Sequence, residues 1–443
     1  MPTDDVALEH LRELIRIPTM SVEPELRDEA AFDAFREALA RLYPLVHSEL
    51  ELELVLGRTF LFRWPGSEPG RASVLLAHYD VVVASDEGWT HPPFAAEITG
   101  QGTDRVIWGR GTLDDKGSVV ALLEAAERAL AEGIAPRHDV YLLFGHDEET
   151  AGTGAAEAAR LLHGRGVEIG LVLDEGGAVV SGMFPTVQAP IAVVGVTEKG
   201  TTNFTLTVEQ AGGHASTPPP DTATNRLARA IARLGRHPFP ASLNPVTARM
   251  IETIGEHAEN PLRFVFGHLR LFRPLIVPVF ARLGVETAAM VRTTMAVTQL
   301  SGSLAPNALA ERAQAVVNVR IAVGSSVAAA QRHLERAIAD PLVRVETEMA
   351  NEPAPVSRME GPDWDLVAES IRAAYPGVVV TPYVQTGATD ARSFSPYSRS
   401  VYRFSPFEMS AAELATLHAK DERMHVHTWF TGIRFFERLF SRL

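Results

Sequence analysis

A chain of 443 residues exceeds the size of one hydrophobic core, which stops growing at about 250 to 300 residues, and is long enough for two or three domains. With 46% hydrophobic and 22% charged residues the composition is that of a globular protein, which excludes disordered and fibrous classes, and a net charge of −14 disfavours nucleic acid and anionic membranes as partners. The absence of cysteine excludes disulfides and thiolate metal ligands, so any metal must be held by His and carboxylate oxygens.

The first residues, Met1-Pro2-Thr3-Asp4-Asp5, lack the basic and apolar regions of a secretory signal. The longest apolar candidate for a membrane span, 275–283, is broken by Pro278 and Arg282. A soluble, cytoplasmic protein with no membrane partner is expected. Strand-like runs at 74–77, 140–144 and 170–173 alternate with helical patterns at 117–131 and 153–162. That alternation predicts an α/β fold, a mostly parallel sheet with helices on its faces and ligands at the strands' carboxyl ends. After Glu198-Lys199-Gly200, read as a hinge, the pattern changes to strand 201–209, helix 221–234, strand 313–321 and helix 326–338, a separate α+β domain. Between its halves, 240–298 reads as a helical insertion expected to pack on that domain, its apolar residues in the core. Beyond Pro353 a helix (363–374), a strand (378–382) and a terminal helix (426–439) return to α/β character. The outer domain is therefore expected to be discontinuous, 1–199 and 351–443, with 200–350 inserted and the helical insertion at about 240–298.

The chemistry concentrates where apolar strands end. Leu143-Phe144-Gly145-His146-Asp147-Glu148-Glu149-Thr150 closes on three adjacent acids, which repel one another unless a cation lies nearby. His78 and Asp80 lie two apart and share a strand face, so that one can ligate while the other orients it or buttresses the site floor. Asp114 and Asp115 sit in a Gly-flanked turn leading into a helix, where one can bridge two cations while the other points away or caps the helix. Glu148 and Glu149 alternate in direction if the strand continues, which lets one bind metal while the other serves as base. Asp174 ends a fourth apolar run, and His418 lies in a fifth segment, Leu417-His418-Ala419-Lys420-Asp421-Glu422. Together they read as a two-metal hydrolase. A dinuclear phosphohydrolase uses similar ligands, but no phosphate-cradling Gly-rich loop is present, and an inactive relative would be expected to lack a ligand or the base.

Three segments, Ala77-His78-Tyr79-Asp80-Val81-Val82, Gly109-Arg110-Gly111-Thr112-Leu113-Asp114-Asp115-Lys116-Gly117 and Asp147-Glu148-Glu149, resemble the signature motifs of the dinuclear-zinc aminoacylase and carboxypeptidase family, in the right order. Glu198-Lys199-Gly200, Gly212-Gly213-His214-Ala215-Ser216-Thr217-Pro218 and Arg292-Thr293-Thr294-Met295-Ala296-Val297-Thr298 look most like its carboxypeptidase S and N-acyl-amino-acid hydrolase branch. The resemblance implies a discontinuous catalytic domain around a mixed, mostly parallel sheet, with an inserted ferredoxin-like α+β lid through which two copies dimerise. It implies two Zn2+ ions, with Co2+ or Mn2+ as substitutes, one held by His78 and Asp174, the other by Glu149 and His418, with Asp114 bridging both. His418 is preferred to His425 and His427 because its surroundings resemble the family's His-x-x-Asn-Glu stretch. Glu148 becomes the general base, Asp80 acts beside His78, and a cis peptide follows Asp114. His214 and Asn307 would polarise the scissile carbonyl and hold substrate, often in a partner subunit's site. Arg320 and Arg392 are candidates to clamp a substrate carboxylate, and Gly387 and Thr389 to line the pocket. The implied activity is hydrolysis of amide bonds in dipeptides, peptide C-termini or N-acyl amino acids. Ala310, Ala388 and Asp421 depart from the family's usual Pro, Gly and Asn.

Overall fold

The computed structural model describes residues 3–22, 27–182 and 187–443. Strands Ala72–His78 and Val140–Gly145 are buried along their whole length, as their unbroken apolar sequences require of strands covered on both faces. Their alternating side chains enter two different cores. Leu75, Ala77, Leu142 and Phe144 join the larger one, under helices Lys116–Ala131 and Val426–Phe440, whereas Val74, Leu76, Tyr141 and Leu143 meet helix Gly154–Gly164 on the opposite face.

These strands belong to an eight-stranded mixed sheet, ordered Glu51–Val55, Thr59–Trp64, Val140–Gly145, Ala72–His78, Ile169–Val180, Ser400–Met409, Ile191–Glu198 and Val379–Gln385. Residues from both ends of the chain thus share one sheet. The pairing is parallel at its centre, with His78 beside Gly145, Leu75 beside Leu173 and Arg403 beside Asp174. This register gathers the strand ends that carry His78, Asp147 to Glu149, and Asp174 with Glu175.

A second, four-stranded antiparallel sheet is ordered Thr294–Ser301, Arg312–Ile321, Gly200–Glu209 and Arg344–Asn351. Strand Arg312–Ile321 alternates between buried and half-buried residues. Ala313, Ala315, Val317, Val319 and Ile321 pack with helices Ala223–Arg236 and Val327–Ile338 into a core of their own, which covers one face only. The succession strand, helix, strand, strand, helix, strand is that of a split βαβ unit.

At the junction Glu198 is fully buried, and its carboxylate accepts from Arg403 Nε at 2.9 Å and from Thr389 Oγ1 at 3.2 Å. Lys199 turns the other way and donates to the carbonyls of Ala289 and Arg292. A Cβ on Gly200 would stand 2.5 Å from the Asn351 carbonyl, so the chain's two passages between the sheets lie too close for any larger residue.

The insertion, helices Pro245–Glu256, Leu262–Gly267, Leu269–Leu283 and Val285–Val291, departs from expectation twice. Instead of packing on the smaller sheet's core, Met250, Ile251, Ile254 and Ile276 cluster with Ile191 and Val379 of the large sheet. The cause is that Val379–Gln385 is an edge strand with an apolar flank, which these helices cover. Nor are the insertion's apolar residues all core, since one side of Leu269–Leu283 faces solvent.

Trp429 is fully buried where the terminal helix crosses Lys116–Ala131, and its indole nitrogen donates to the Gly117 carbonyl at 3.0 Å. Trp429→Ala should therefore destabilise the protein by about 3–5 kcal/mol, read as a lower denaturant midpoint at unchanged slope.

Candidate metal centre

His78 ends its strand with Nδ1 3.0 Å from the Asp80 carbonyl oxygen and 3.3 Å from Asp80 Oδ1. Donation from Nδ1 leaves the Nε2 lone pair free, and Nε2 lies 3.0 Å from Asp114 Oδ1 and 3.5 Å from Glu175 Oε1. The other oxygen of Asp114 is 2.8 Å from His418 Nε2, which is 3.2 Å from Glu149 Oε2. Two triads result, His78–Asp114–Glu175 and Asp114–Glu149–His418, each with its donor atoms within 4.8 Å of one another. Asp114 belongs to both and presents one oxygen to each His, the arrangement of a carboxylate between two cations.

The donors fit metal ions on three counts. Ligands about 2.0–2.2 Å from a tetrahedral zinc stand about 3.3 Å apart, close to the separations seen here. Glu149 Oε1 is shut off from solvent yet accepts no hydrogen bond. The surrounding acids also call for positive charge: hydrogen bonds to Asp114 and then Glu149 push the His418 pKa up to about 10. Desolvation, followed by the nearby Asp114 carboxylate, raises Glu175 to about 8.

Asp174, expected beside His78, joins neither triad. Its Oδ1 accepts from the Glu175 amide at 2.9 Å and its Oδ2 from the Ala391 amide at 2.6 Å, so the side chain braces the turn Asp390–Phe394. Its neighbour Glu175 completes the triad with His78 and Asp114. The strand Ile169–Val180 carries both residues, its pairing with Ser400–Met409 shifting register just after Asp174, and of the two it is Glu175 that reaches His78. The apolar run before them did not distinguish which of the two neighbours faces the cluster.

Glu148 and Glu149 are separated in direction by a 3-10 turn, Glu148–Thr150, rather than by a continuing strand. Asp80 fixes that turn, its two oxygens accepting from the amides of Glu148 at 3.2 Å and Glu149 at 3.1 Å. Glu148 reaches a cavity of about 170 Å³ whose lining also includes Asp114, Glu175 and His418. Desolvation there raises its pKa well above the ordinary carboxylate value, with Glu175 adding to the effect against the pull of His78. The remaining acid of the run, Asp147, accepts from the amides of Thr153 and Gly154. His425 pairs with Glu413 and His427 with the Thr103 carbonyl, and neither joins a triad.

Sequence reasoning gave no role to Glu422. It is fully buried, and its carboxylate accepts from the amides of Gly111 at 3.0 Å, Leu113 at 2.8 Å and Asp114 at 3.2 Å and from Arg110 Nη1 at 2.5 Å. The loop that carries Asp114 is folded around this one side chain. The available signal was its place as the Glu of the His-x-x-Asn-Glu-like stretch, four residues after the chosen His. Asp421 instead accepts from the amide and hydroxyl of Thr90, and the Asp114–Asp115 peptide is cis.

Gly387 and Thr389 line the cavity, together with Gln385 and Leu417. His214 and Asn307 are neighbours, His214 pairing with Ala308 across a short ladder and the Asn307 carbonyl accepting from Ala215 at 3.0 Å. Both are exposed, and neither lines this cavity in its own chain. Arg320 donates to Thr201 Oγ1 at 2.9 Å, and Arg392 donates to the Glu352 carbonyl at 3.3 Å and lies 3.4 Å from Glu198. These contacts hold both arginines at the junction between the sheets rather than in the cavity wall.

The sequence model of peptidase family M20/M25/M40 matches residues 74–442. The chain is 34% identical over 434 residues to the human N-fatty-acyl-amino acid synthase/hydrolase PM20D1, covering 96% of this chain and 86% of that one. It is 30% identical over 486 residues to carboxypeptidase S of Saccharomyces cerevisiae, covering 97% and 82%. The M20 family metallo-carboxypeptidase Sso-CP2 from Sulfolobus solfataricus has the same fold, with a TM-score of 0.69 at 16% identity over 100% of this chain and 99% of that one. With its fold, its ordered motifs and paired triads sharing one carboxylate, the chain belongs to peptidase family M20/M25/M40, whose members hydrolyse amide bonds.

Proposed function

We propose that the protein hydrolyses amides whose nitrogen belongs to an amino acid with a free carboxylate, which takes in N-acyl amino acids, dipeptides and peptide C-termini. The observation that carries this reading is the pair of triads joined at Asp114 with the uncommitted carboxylate of Glu148 beside them. The names of the two sequence relatives, an N-fatty-acyl-amino acid hydrolase and a carboxypeptidase, share this bond type.

On this reading His78 and Glu175 would hold one divalent ion and Glu149 and His418 the other, with Asp114 available to both. Two zinc ions, with cobalt or manganese as substitutes, would supply Lewis acidity toward the carbonyl and acidify water beside it. Glu148 removes the proton from the attacking water and returns it to the leaving amine, a task served by the raised proton affinity of its half-buried carboxylate. Asp80 acts through others, holding the His78 ring and the Glu148–Glu149 backbone at once. Arg320 and Arg392 lie close enough that burial and then the charge of Arg392 lower the pKa of Arg320, and a substrate carboxylate would relieve that repulsion.

The edge strand Thr294–Ser301 turns Val297 and Leu300 to solvent, which suits a homodimer formed through the smaller sheet. His214 and Asn307, outside their own chain's cavity, would then serve the partner's. A cytoplasmic location, in keeping with a cysteine-free chain, belongs to the same reading.

Glu148→Gln should keep two metal equivalents by elemental analysis yet lower kcat on N-acyl amino acids by about 10³-fold; retained turnover would remove Glu148 from its role. Chelation should abolish activity and added zinc restore it. Glu175→Gln should lose metal that Asp174→Asn keeps, and the reverse pattern would reinstate Asp174 as the ligand. Mixing His214→Ala with Glu148→Gln subunits should recover activity that neither variant has, because exchanged dimers contain one intact site.

A further inference from the structure

Helix Leu269–Leu283 is apolar on two sides. Inward, Leu269 and Ile276 are buried, with Phe272, Val277 and Phe280 packed beside them against the large sheet's edge. Outward, Leu271, Leu275, Val279 and Leu283 are 72%, 66%, 55% and 70% exposed. Steps of four residues place them in one stripe along the helix, and exposed Phe264 before it and Val285 after it lengthen the stripe at both ends. Helices apolar all round are ordinarily buried all round, and a continuous exposed apolar face marks an interaction surface.

Charge selects the occupant. In a chain of net charge −14, residues 260–285 carry Arg263, Arg270, Arg273, Arg282 and His268 and no Asp or Glu. All four arginines are exposed, and Arg273 and Arg282 donate to backbone carbonyls, of Leu243 and Pro278, rather than to acids. A second copy docking the same face in a two-fold arrangement would bring these arginines against themselves. An anionic lipid surface answers both features, with phosphate and carboxylate headgroups for the guanidinium groups and acyl chains for the stripe. At about 1.5 Å per residue a 15-residue helix is too short to span a bilayer, and among the described residues no helix is long and apolar enough to do so.

We propose that this helix docks the protein on anionic membranes, lying in the plane of the interface with Leu271, Leu275, Val279 and Leu283 among the acyl chains. None of these residues lines the metal cavity, so docking is separable from hydrolysis. The net charge argued against anionic membranes only as an average; the structure segregates it.

Co-sedimentation of the full chain with vesicles tests this. The protein should pellet with vesicles of equal parts phosphatidylcholine and phosphatidylserine, less with pure phosphatidylcholine, and be released as salt rises. Changing Leu271, Leu275, Val279 and Leu283 together to Ser should lower the partition coefficient about tenfold or more, while the thermal midpoint and turnover of a water-soluble N-acetyl amino acid stay unchanged. Replacing Arg263, Arg270 and Arg282 with Gln should leave the apolar contribution and erase the preference for phosphatidylserine. Equal pelleting of wild type and stripe variant, or no pelleting of wild type with the anionic vesicles, overturns the proposal. So does a stripe-dependent oligomer in size-exclusion chromatography without vesicle binding, which would assign the face to a second copy.

Discussion

Crowding Asp114, Glu149 and Glu175 around a shared space is electrostatically uphill, and the architecture is organised around that cost. Two like charges about 4 Å apart repel by about 4 kcal/mol at the effective dielectric of a protein surface, so such a cluster is held by its surroundings or by cations. The parallel register does the first part, bringing the ends of Ala72–His78 and Val140–Gly145 level beside the strand of Glu175. Helices on both faces then make those strands rigid, so that the acids sit on elements that cannot easily move apart.

Two further carboxylates set the loops without belonging to either triad. Asp80 collects the amides of Glu148 and Glu149 and the ring of His78, and Glu422 collects three amides of the loop before Asp115. An acid whose oxygens are taken up by amide hydrogens fixes backbone rather than ligating. Asp174 joins this second group through Ala391. The pocket is therefore a nest of acids in two roles, one set facing a common space and the other facing peptide N–H groups.

Sequence alone separated the groups of acids from the rest of the chain but not always the roles within a group. His78, Asp114, Glu149 and His418 were legible because each sits in a motif whose order and spacing are specific, and the structure brings all four together. The choice between Asp174 and Glu175 turned on which way one strand residue points, which depends on sheet twist and pairing rather than on composition. Glu422 was hidden for another reason: a buried acceptor is defined by the amides around it, and those lie about 310 residues away in the sequence, at Gly111 to Asp114. The alternation of strands and helices revealed the α/β sheet, yet the insertion's seat on Val379–Gln385 was invisible because an edge strand's exposed flank appears only once strand order is known.

The junction bears on how the two sheets can move. Glu198 is buried with Arg403 and Thr389, all anchored to the large sheet and its cavity, and removing one partner of such a buried pair costs about 3–5 kcal/mol. Lys199 is tied instead to the carbonyls of Ala289 and Arg292, at the end of the insertion that packs on the same large sheet. Both residues of the expected hinge are thus bound to one side, and the chain crosses to the smaller sheet at Gly200, packed against the Asn351 carbonyl. Arg320, bonded to Thr201 just beyond that crossing, is near enough to Arg392 for that charge to lower its pKa, so the crossing sets the spacing of the two cations on which the proposed carboxylate site rests.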